Sequence, residues 1–234
     1  MTALPTGTVT FLFTDIEGST RLQRELGDGY RELVSLHRRL LRDAVAETGG
    51  VEIDSQGDAF FFSFGRARAA AAAAVSGQLR LASETWPQGA RPKVRMGLHT
   101  GEPELGDEGY VGLDVVRGAR VAAAAHGGQI LLSESTRALL ADLGDGLRVT
   151  DIGEHTLKDM GRPERLYQLE APGLETSFPG ARTEQAPSTG DVFTEKIDAH
   201  VRRELDRALR NVETEDAPGP GSGDWRKLLG RGSD

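Results

Sequence analysis

Hydrophobic residues recur along most of this chain at spacings typical of strands and helices. The uncharged run from Val9 to Phe13 predicts a buried strand of about five residues. Over residues 19–48, apolar side chains recur every three to four positions, which predicts helical structure. We expect Gly27-Asp28-Gly29 to divide this stretch into two helices and Gly49-Gly50 to end the second one.

A hairpin and an alanine-rich helix are predicted next. Two β-like runs, 51–55 and 59–64, flank Gln56-Gly57-Asp58, and Gly-Asp turns are common in β-hairpins. The alanine-rich stretch 66–84 predicts a helix that packs closely on a sheet. The later elements are expected to be a strand over 93–100, a polar turn over 106–109, a helix over 111–125, a strand over 129–132, a helix over 133–143, and strands over 147–153 and 164–169. Together these elements favour an α+β sandwich around a mostly antiparallel sheet.

The composition changes after residue 171, so we expect one domain over 1–171 with a different kind of chain behind it. Residues 172–193 are polar, with Pro, Ser, Thr and Gly, and are interpreted as a linker. Residues 194–213 return to a charged helical pattern with a narrow apolar stripe, formed by Ile197, Val201, Leu205 and Leu209. This stripe fits a solvated helix, a dimerising segment or a frayed tail. Residues 214–234 predict a disordered tail.

The composition also excludes several classes of function. The 234 residues include no cysteine, which excludes disulfides, zinc–thiolate sites and thiol catalysis. The net charge of -8 argues against non-specific binding to nucleic acid and to anionic membranes. The N-terminus lacks the basic and apolar regions of a signal peptide, and no stretch is long enough to span a bilayer. We therefore expect a cytoplasmic protein with no nucleic-acid or membrane partner.

Two acidic residues are candidates for metal binding. Asp15 follows the opening strand, with Gly18-Ser19-Thr20 just beyond it as a helix start, and Asp58 lies in the hairpin turn. If the hairpin pairs beside the opening strand, the two carboxylates meet at one edge of the sheet. There they can hold paired Mg²⁺ or Mn²⁺ ions over a triphosphate. Each acid alone is also explained without a metal, Asp15 as a capping residue and Asp58 as an ordinary turn residue.

Several motifs occur in the order found in one enzyme family. They are Phe13-Thr14-Asp15-Ile16-Glu17-Gly18-Ser19-Thr20, Gln56-Gly57-Asp58, Arg95-Met96-Gly97-Leu98-His99-Thr100-Gly101, Tyr110-Val111-Gly112 followed by Arg120, His126-Gly127-Gly128-Gln129-Ile130-Leu131-Leu132-Ser133, and Leu157-Lys158-Asp159-Met160-Gly161 with Leu166-Tyr167. Over roughly residues 7–170 the chain resembles the catalytic domain of class III nucleotidyl cyclases, the adenylyl and guanylyl cyclase family. The resemblance implies a ferredoxin-like βαββαβ-type sandwich. It also implies an antiparallel homodimer with active sites shared across the interface.

The resemblance assigns roles to particular residues. Asp15 and Asp58, with the backbone of Ile16, would hold two Mg²⁺ or Mn²⁺ ions, and the backbone N–H groups from Ile16 to Ser19 would bind phosphates. Arg120, supplied by the second copy, would stabilise the α-phosphate in flight. The implied reaction is attack of the ribose 3′-hydroxyl of a nucleoside triphosphate, ATP by family, on its α-phosphate. It releases pyrophosphate and would make the chain a phosphorus–oxygen lyase of intracellular signalling.

The positions that would select the substrate depart from the family pattern. The base-reading lysine is replaced by Asp54, the base-reading acid by Gly109, and the ribose-orienting asparagine by Val116. The pyrophosphate-binding lysine is replaced by Met160, with Lys158 nearby. An aspartate in place of a lysine inverts a charge beside a polyanion, and one lost polar contact typically costs about 10²–10³ in rate. Asp54 occupies the base-reading position and Lys158 lies near the pyrophosphate-binding position, so these two residues are our candidates for contact with the nucleotide.

Three interpretations of the function are open at this point. The leading one is an active, dimeric cyclase, because Asp15, Asp58 and Arg120 are all present in the family order. The alternative is a weak or inactive homologue that senses nucleotide, in which Asp54 and Val116 mark a decayed site. The third is a purely structural dimerisation domain.

Overall fold

The computed structural model describes residues 3–106, 109–140, 144 and 146–182. Its strands and α-helices, in chain order, are β1 (Val9–Ile16), α1 (Ser19–Leu26), α2 (Gly29–Glu47), β2 (Val51–Gln56), β3 (Ala59–Phe64), α3 (Ala67–Ser83), β4 (Val94–Gly101), β5 (Glu104–Gly106), β6 (Gly109–Val111), α4 (Leu113–Ala123), β7 (Ile130–Ser133), α5 (Glu134–Ala138), β8 (Arg148–Thr156) and β9 (Pro163–Glu170). A short 3₁₀ helix, Pro87–Gly89, lies between α3 and β4.

The main sheet has seven strands in the order β2-β3-β1-β4-β7-β9-β8, and the described neighbours are antiparallel except for β4 and β7. The first four strands and the helices between them form a βαββαβ unit with the strand order of a ferredoxin-like sheet. The predicted α+β sandwich is therefore confirmed. Because parallel strands need a long crossover, β4 reaches β7 through the β5–β6 hairpin and α4.

Both faces of the central strand β1 are covered, so every residue from Val9 to Ile16 is buried. Successive side chains of a strand point to opposite faces. Leu12 therefore joins the core under α2 and α3, whereas Phe11 joins the core under α4. This double burial explains why β1 is apolar without alternation. It also makes Asp15, an acid inside a fully buried strand, the residue of β1 that needs a functional or structural explanation.

Small residues let the helices pack directly on the sheet. The alanine-rich helix α3 buries most of its alanines against β1, β3 and β4, as its composition predicts. On the other face, a Cβ at Gly97 of β4 would lie 2.2 Å from the backbone nitrogen of Ala122. A Cβ at Gly118 of α4 would lie 2.7 Å from the ring of Phe13. Glycine at these two positions therefore sets the close approach of α4, the helix that carries Arg120.

Most predicted elements are present, and the differences occur at their ends. Helices α1 and α2 separate as predicted, and β2 and β3 form the predicted hairpin. The helix predicted over 133–143 ends at Ala138, because the amides of Leu139 and Leu140 bond to carbonyls three residues back and close the helix. The turn predicted over 106–109 is flanked by β5 and β6, which are too short to produce a periodic pattern.

The chain after β9 continues along the domain. Residues 172–182 contain no helix or strand and bond to several parts of the domain. The remainder of the predicted linker, the predicted charged helix over 194–213 and the predicted disordered tail over 214–234 lie outside the described residues. Within the part of the chain that the structure describes, no helix combines the length and the apolar character needed to cross a membrane.

Candidate active site

The ends of β1 and β3 bring the two candidate metal ligands together. These strands are antiparallel neighbours whose pairing runs to Thr14 and Phe60, so Asp15 and Asp58 lie at the same end of the sheet. The backbone N–H of Ile16 donates a hydrogen bond of 3.2 Å to Oδ2 of Asp58. The predicted pairing of the hairpin beside the opening strand is confirmed, and both acids lie at this end of the sheet.

Helix α2 holds the turn that carries Asp58. Gly57 has a φ of +64°, a left-handed conformation that glycine adopts without strain. Arg38 of α2 donates to the carbonyl oxygen of Gly57, from Nε at 3.0 Å and from Nη2 at 2.5 Å. These bonds fix the turn from outside the hairpin. Asp58 is half-buried, whereas Asp15 is only 4% exposed.

Arg95 neutralises Asp15 within the sheet. The two residues face each other in the β1–β4 pairing, and Arg95 donates to Oδ2 of Asp15 from Nε at 2.9 Å and from Nη2 at 2.5 Å. Their side chains are 1% and 5% exposed. A buried carboxylate requires such a partner because an unpaired charge is costly to desolvate. Arg95 is not among the site residues predicted from the sequence, although an arginine between Val94 and Met96 in a buried strand is a signal for a buried charge.

The charges of both acids affect the pKa of Tyr30. The pKa of its phenol is raised to about 12, first by burial and then by the negative charge of Asp58. A hydrogen bond with Ser19 lowers this pKa, and the charge of Asp15 raises it further. Both carboxylates therefore act on one point, at the start of α2.

The donor set suits a hard divalent cation. Asp15, Asp58 and the carbonyl oxygen of Ile16 offer oxygen ligands, which Mg²⁺ and Mn²⁺ prefer. Mg²⁺ in nucleotide sites is typically held by one or two carboxylates together with substrate phosphates. Among the described residues, no group of three or more acidic, histidine or cysteine side chains is arranged to hold a metal. The residues present fit ions that the protein and a triphosphate bind jointly.

The loop after β1 offers part of the predicted phosphate cradle. Gly18 has a left-handed backbone with a φ of +68°, and α1 begins directly after it at Ser19. The first N–H groups of a helix have no acceptor within the helix, and the first turn of α1 contains no acidic side chain that would repel an anion. The N–H groups of Ile16 and Glu17 already bond within the protein, at 3.2 and 2.9 Å. Of the four N–H groups predicted to bind phosphate, those of Ile16 and Glu17 therefore already have acceptors within the protein, and the prediction continues for Gly18 and Ser19.

Arg120 lies on α4, on the sheet face opposite α2 and α3, and its side chain is only 3% exposed. Its Nη2 donates to Oδ2 of Asp159 at 2.7 Å. Asp159 lies in the turn between β8 and β9, where 59% of its side chain is exposed. The arginine that the family resemblance assigns to the transition state is therefore paired with a turn of its own chain.

The remaining predicted positions lie in two different environments. Asp54 is exposed on β2 and bonds to the two residues that follow it, at 2.7 and 3.1 Å. Lys158 is exposed in the β8–β9 turn. Val116 and Met160 are 5% and 9% exposed and belong to one apolar cluster. At these two positions, hydrophobic packing stands where the family pattern would have polar contacts with the substrate.

Comparisons of the sequence identify a family. The adenylate and guanylate cyclase catalytic domain matches residues 1–171. An uncharacterized protein of Mycobacterium tuberculosis is 36% identical over 188 residues, covering 79% of this chain and 64% of that protein. An adenylate cyclase of Podospora anserina is 29% identical over 221 residues, covering 70% of this chain and 10% of that enzyme. The chain thus spans less than two thirds of the length of these curated relatives.

Solved structures share the fold. The chain is similar to an adenylate cyclase from Trypanosoma brucei in its monomeric state, with a TM-score of 0.71 and 27% identity over 79% of this chain and 98% of that chain. It also resembles a guanylate cyclase domain from Catenaria anguillulae in complex with GTP, with a TM-score of 0.64 and 20% identity over 72% of this chain and 99% of that chain, which supports the fold alone. The domain match and the sheet topology agree, and the chain belongs to the adenylate and guanylate cyclase catalytic domain family.

Proposed function

We propose that this domain is a nucleotidyl cyclase, which converts a nucleoside triphosphate to the 3′,5′-cyclic nucleotide and pyrophosphate. The observation that carries the proposal is the position of Asp15 and Asp58 at one end of the sheet, beside the start of α1, with the Ile16 N–H bonded to the Asp58 carboxylate. ATP is the substrate we favour, because adenylate cyclases are among both the sequence relatives and the solved structures that the chain resembles.

The proposed reaction exchanges one phosphoester bond for another. The ribose 3′-oxygen forms a bond to the α-phosphorus, and the bond from that phosphorus to the oxygen bridging it to the β-phosphate breaks. The hydroxyl proton passes to solvent, and pyrophosphate leaves with the electron pair. Two Mg²⁺ or Mn²⁺ ions, when bound, lower the pKa of the hydroxyl and neutralise phosphate charge.

The residues of this chain bind and orient the substrate and its ions. Asp15, Asp58 and the Ile16 carbonyl hold the ions. The N–H groups of Gly18 and Ser19, at the positive end of the α1 dipole, bind phosphate oxygens. Arg95 orients the Asp15 carboxylate before the ions arrive, because its Nε and Nη2 both donate to Oδ2 of Asp15.

The active form that we propose is a homodimer with two shared sites. The family resemblance assigns an arginine at the position of Arg120 to the site of a second copy, and within its own chain Arg120 is bonded to Asp159. To act there, Arg120 exchanges the Asp159 carboxylate for the α-phosphate of the substrate. Asp54 and Lys158, both exposed, are proposed contacts for the nucleotide.

The proposal is tested by incubating the purified chain with Mn²⁺ or Mg²⁺ and with ATP, GTP, CTP or UTP in turn. We expect equal amounts of cyclic nucleotide and pyrophosphate, and no product from the Asp58→Ala variant. Glu52→Ala is the matched control, because Glu52 is an exposed acid of the same hairpin that pairs with Arg42 at 2.7 Å. Wild-type product no greater than that of Asp58→Ala would reject catalysis.

A second candidate function is nucleotide binding without turnover. The observation that favours it is the state of the second half of the site, in which Val116 and Met160 are packed in an apolar cluster and Arg120 is buried against Asp159. Titration calorimetry of the same proteins with a non-hydrolysable triphosphate and Mn²⁺ separates the two functions. Saturable binding by wild type, lost in Asp58→Ala and accompanied by no cyclic product, would support the second candidate over the first.

A further inference from the structure

The segment after β9, residues 172–182, lies beyond the residues that match the cyclase family and is here named the strap. Near its start, Glu175 pairs with Lys93 at 2.9 Å. Farther along, the ring of Phe178 stacks on that of His126, with centroids 6.4 Å apart and an interplanar angle of 8°. Nε2 of His126 also lies 2.9 Å from the carbonyl oxygen of Gly180. The strap thus contacts the domain along its length.

The last described residue of the strap, Arg182, bonds to the chain just after α4 and to the loop between β1 and α1. Its backbone N–H donates at 2.9 Å to the carbonyl oxygen of Ala124, which follows the helix that carries Arg120. Its Nη1 donates at 3.0 Å to Oε1 of Glu17, in the loop between Asp15 and α1. The Arg182 side chain is 24% exposed and that of Glu17 is 37% exposed, so the pair is partly shielded from water.

Lys93 and Gly127 also contact Glu17. Its backbone N–H donates to the carbonyl oxygen of Lys93 at 2.9 Å. A Cβ at Gly127 would lie 2.5 Å from Cβ of Lys93 and 3.0 Å from Oε2 of Glu17. The loop therefore packs tightly where Glu17 meets Gly127, and Arg182 supplies a positive charge at the same place. These contacts fix the residue that directly precedes Gly18 and Ser19.

We propose that Arg182 is a positioning residue for the phosphate-binding loop, and that the strap completes this site from outside the family domain. The inference rests on the proposed function, because it concerns binding of the triphosphate at Gly18 and Ser19. Glu17 places a negative charge directly before Gly18 and Ser19, in a loop that must accept a polyanion, and like charges repel. Arg182 compensates this charge and holds the loop in place. Removal of the Arg182 side chain therefore weakens triphosphate binding more than it lowers the turnover of bound substrate.

The test measures two quantities on the full chain: the affinity for a non-hydrolysable triphosphate with Mn²⁺, by calorimetry, and KM and kcat for the substrate. For Arg182→Ala we expect affinity to fall and KM to rise by about tenfold, with kcat changed by less than about threefold. Arg182→Lys keeps the charge and should recover most of the affinity. Combining Arg182→Ala with Glu17→Gln should also recover it, because the repelling charge is then absent.

The matched control is Glu175→Ala, which removes the other ion pair of the strap, an exposed one, and should leave affinity and KM within about twofold of wild type. Thermal unfolding of each variant shows whether a lower affinity is caused by a less stable fold. If wild type forms no cyclic product but Arg182→Ala still weakens binding with the recoveries described, the inference stands and the proposed catalysis fails. If wild type is active and Arg182→Ala binds as wild type does, the inference alone is overturned. Failure of wild type to bind any triphosphate overturns both.

Discussion

Each half of the candidate site contains a buried arginine, and the two arginines differ in the exposure of their partners. Arg95 and Arg120 are 1% and 3% exposed, and each pairs with an aspartate. The partner of Arg95 is Asp15, which is 5% exposed on the neighbouring strand, whereas the partner of Arg120 is Asp159, which is 59% exposed in a turn. Both side chains of the first pair are buried, whereas in the second pair the arginine is buried and the acid is exposed to solvent.

This difference shows which half of the site is built into the fold. The register of β1 and β4 sets the Asp15–Arg95 pair, so that the first carboxylate is oriented before any ion or substrate binds. The Asp159–Arg120 pair depends on the β8–β9 turn, and its exposed acid can be exchanged for another anion without exposing the core. We infer that the half with Asp15 and Asp58 is preorganised, and that the half with Arg120 adjusts when a second copy brings substrate.

The largest predicted effect tests whether the two halves work across two copies. Asp58→Ala and Arg120→Ala should each reduce turnover by at least about 10²-fold, because one removes a metal ligand and the other a group that stabilises transition-state charge. Mixing the two inactive proteins in equal amounts should restore about a quarter of wild-type activity, since half of the dimers are mixed and each mixed dimer has one intact site. Product formation by the mixture measures this.

The control for this experiment is a mixture of Asp58→Ala with Asp15→Ala. Both changes lie in the same half of the site, so their mixed dimers contain no intact site and should remain inactive. A mixture of Asp58→Ala and Arg120→Ala that is no more active than either protein alone would contradict the shared site.

The next predicted effect concerns the stability of the two pairs. Asp15→Ala leaves Arg95 buried without its carboxylate, and the free energy of unfolding should fall by about 3–5 kcal/mol. Asp159→Ala removes a partner that is 59% exposed, so water can take its place at Nη2 of Arg120, and the loss should be smaller than for Asp15→Ala. Urea denaturation of both variants without metal measures the difference. Equal losses would show that the burial of the acid does not distinguish the two pairs.

The parts of this site that could be predicted from sequence are those set by local pattern. The apolar run of β1, the helix start at Ser19 and the Gly57-Asp58 turn lie close together in the chain, and the pairing of the hairpin with β1 then follows from the fold class. The Asp15–Arg95 pair spans 80 positions and depends on strand register, which a shift of one residue would reverse. The local pattern around Arg95 indicates a charge in a buried strand, but it does not identify Asp15 as the partner.

The contacts of the strap and the apolar cluster of Val116 and Met160 could not be predicted from the sequence either. The composition of residues 172–182 is typical of a linker, and the strap is held by backbone carbonyls and single side chains such as Arg182. Val116 and Met160 differ from the family pattern in sequence, but only the structure shows that both belong to one cluster. Their burial explains how two polar positions can be lost together, since an apolar side chain at one favours an apolar side chain at the other.

A smaller effect is predicted for the stability of the preorganised half in acid. His37 of α2 is fully buried near Phe60, and its pKa is lowered to about 3 by burial and then by the charge of Arg38. The unfolded chain binds this proton near pH 6.5, so stability is lost as the pH falls below that value, by about 1.4 kcal/mol per unit. His37→Leu should remove this part of the slope between pH 6 and pH 4.5 in urea denaturation. Above pH 7 the two proteins should show parallel curves, and a common slope below pH 6 would contradict the assignment.

The smallest predicted effect concerns the open pair. If Arg120 leaves Asp159 to reach the phosphate, Asp159→Ala removes the cost of breaking an ion pair whose acid is exposed, which is at most about 1 kcal/mol. Turnover should therefore rise, by up to about fivefold, and the rise should disappear when Arg120→Ala is added. Asp151→Ala is the matched control, because Asp151 is an exposed acid of β8 that pairs with Arg165 at 2.7 Å. A fall in turnover as large as that of Arg120→Ala would show instead that Asp159 holds Arg120 in its working position, and both halves of the site would then be preorganised.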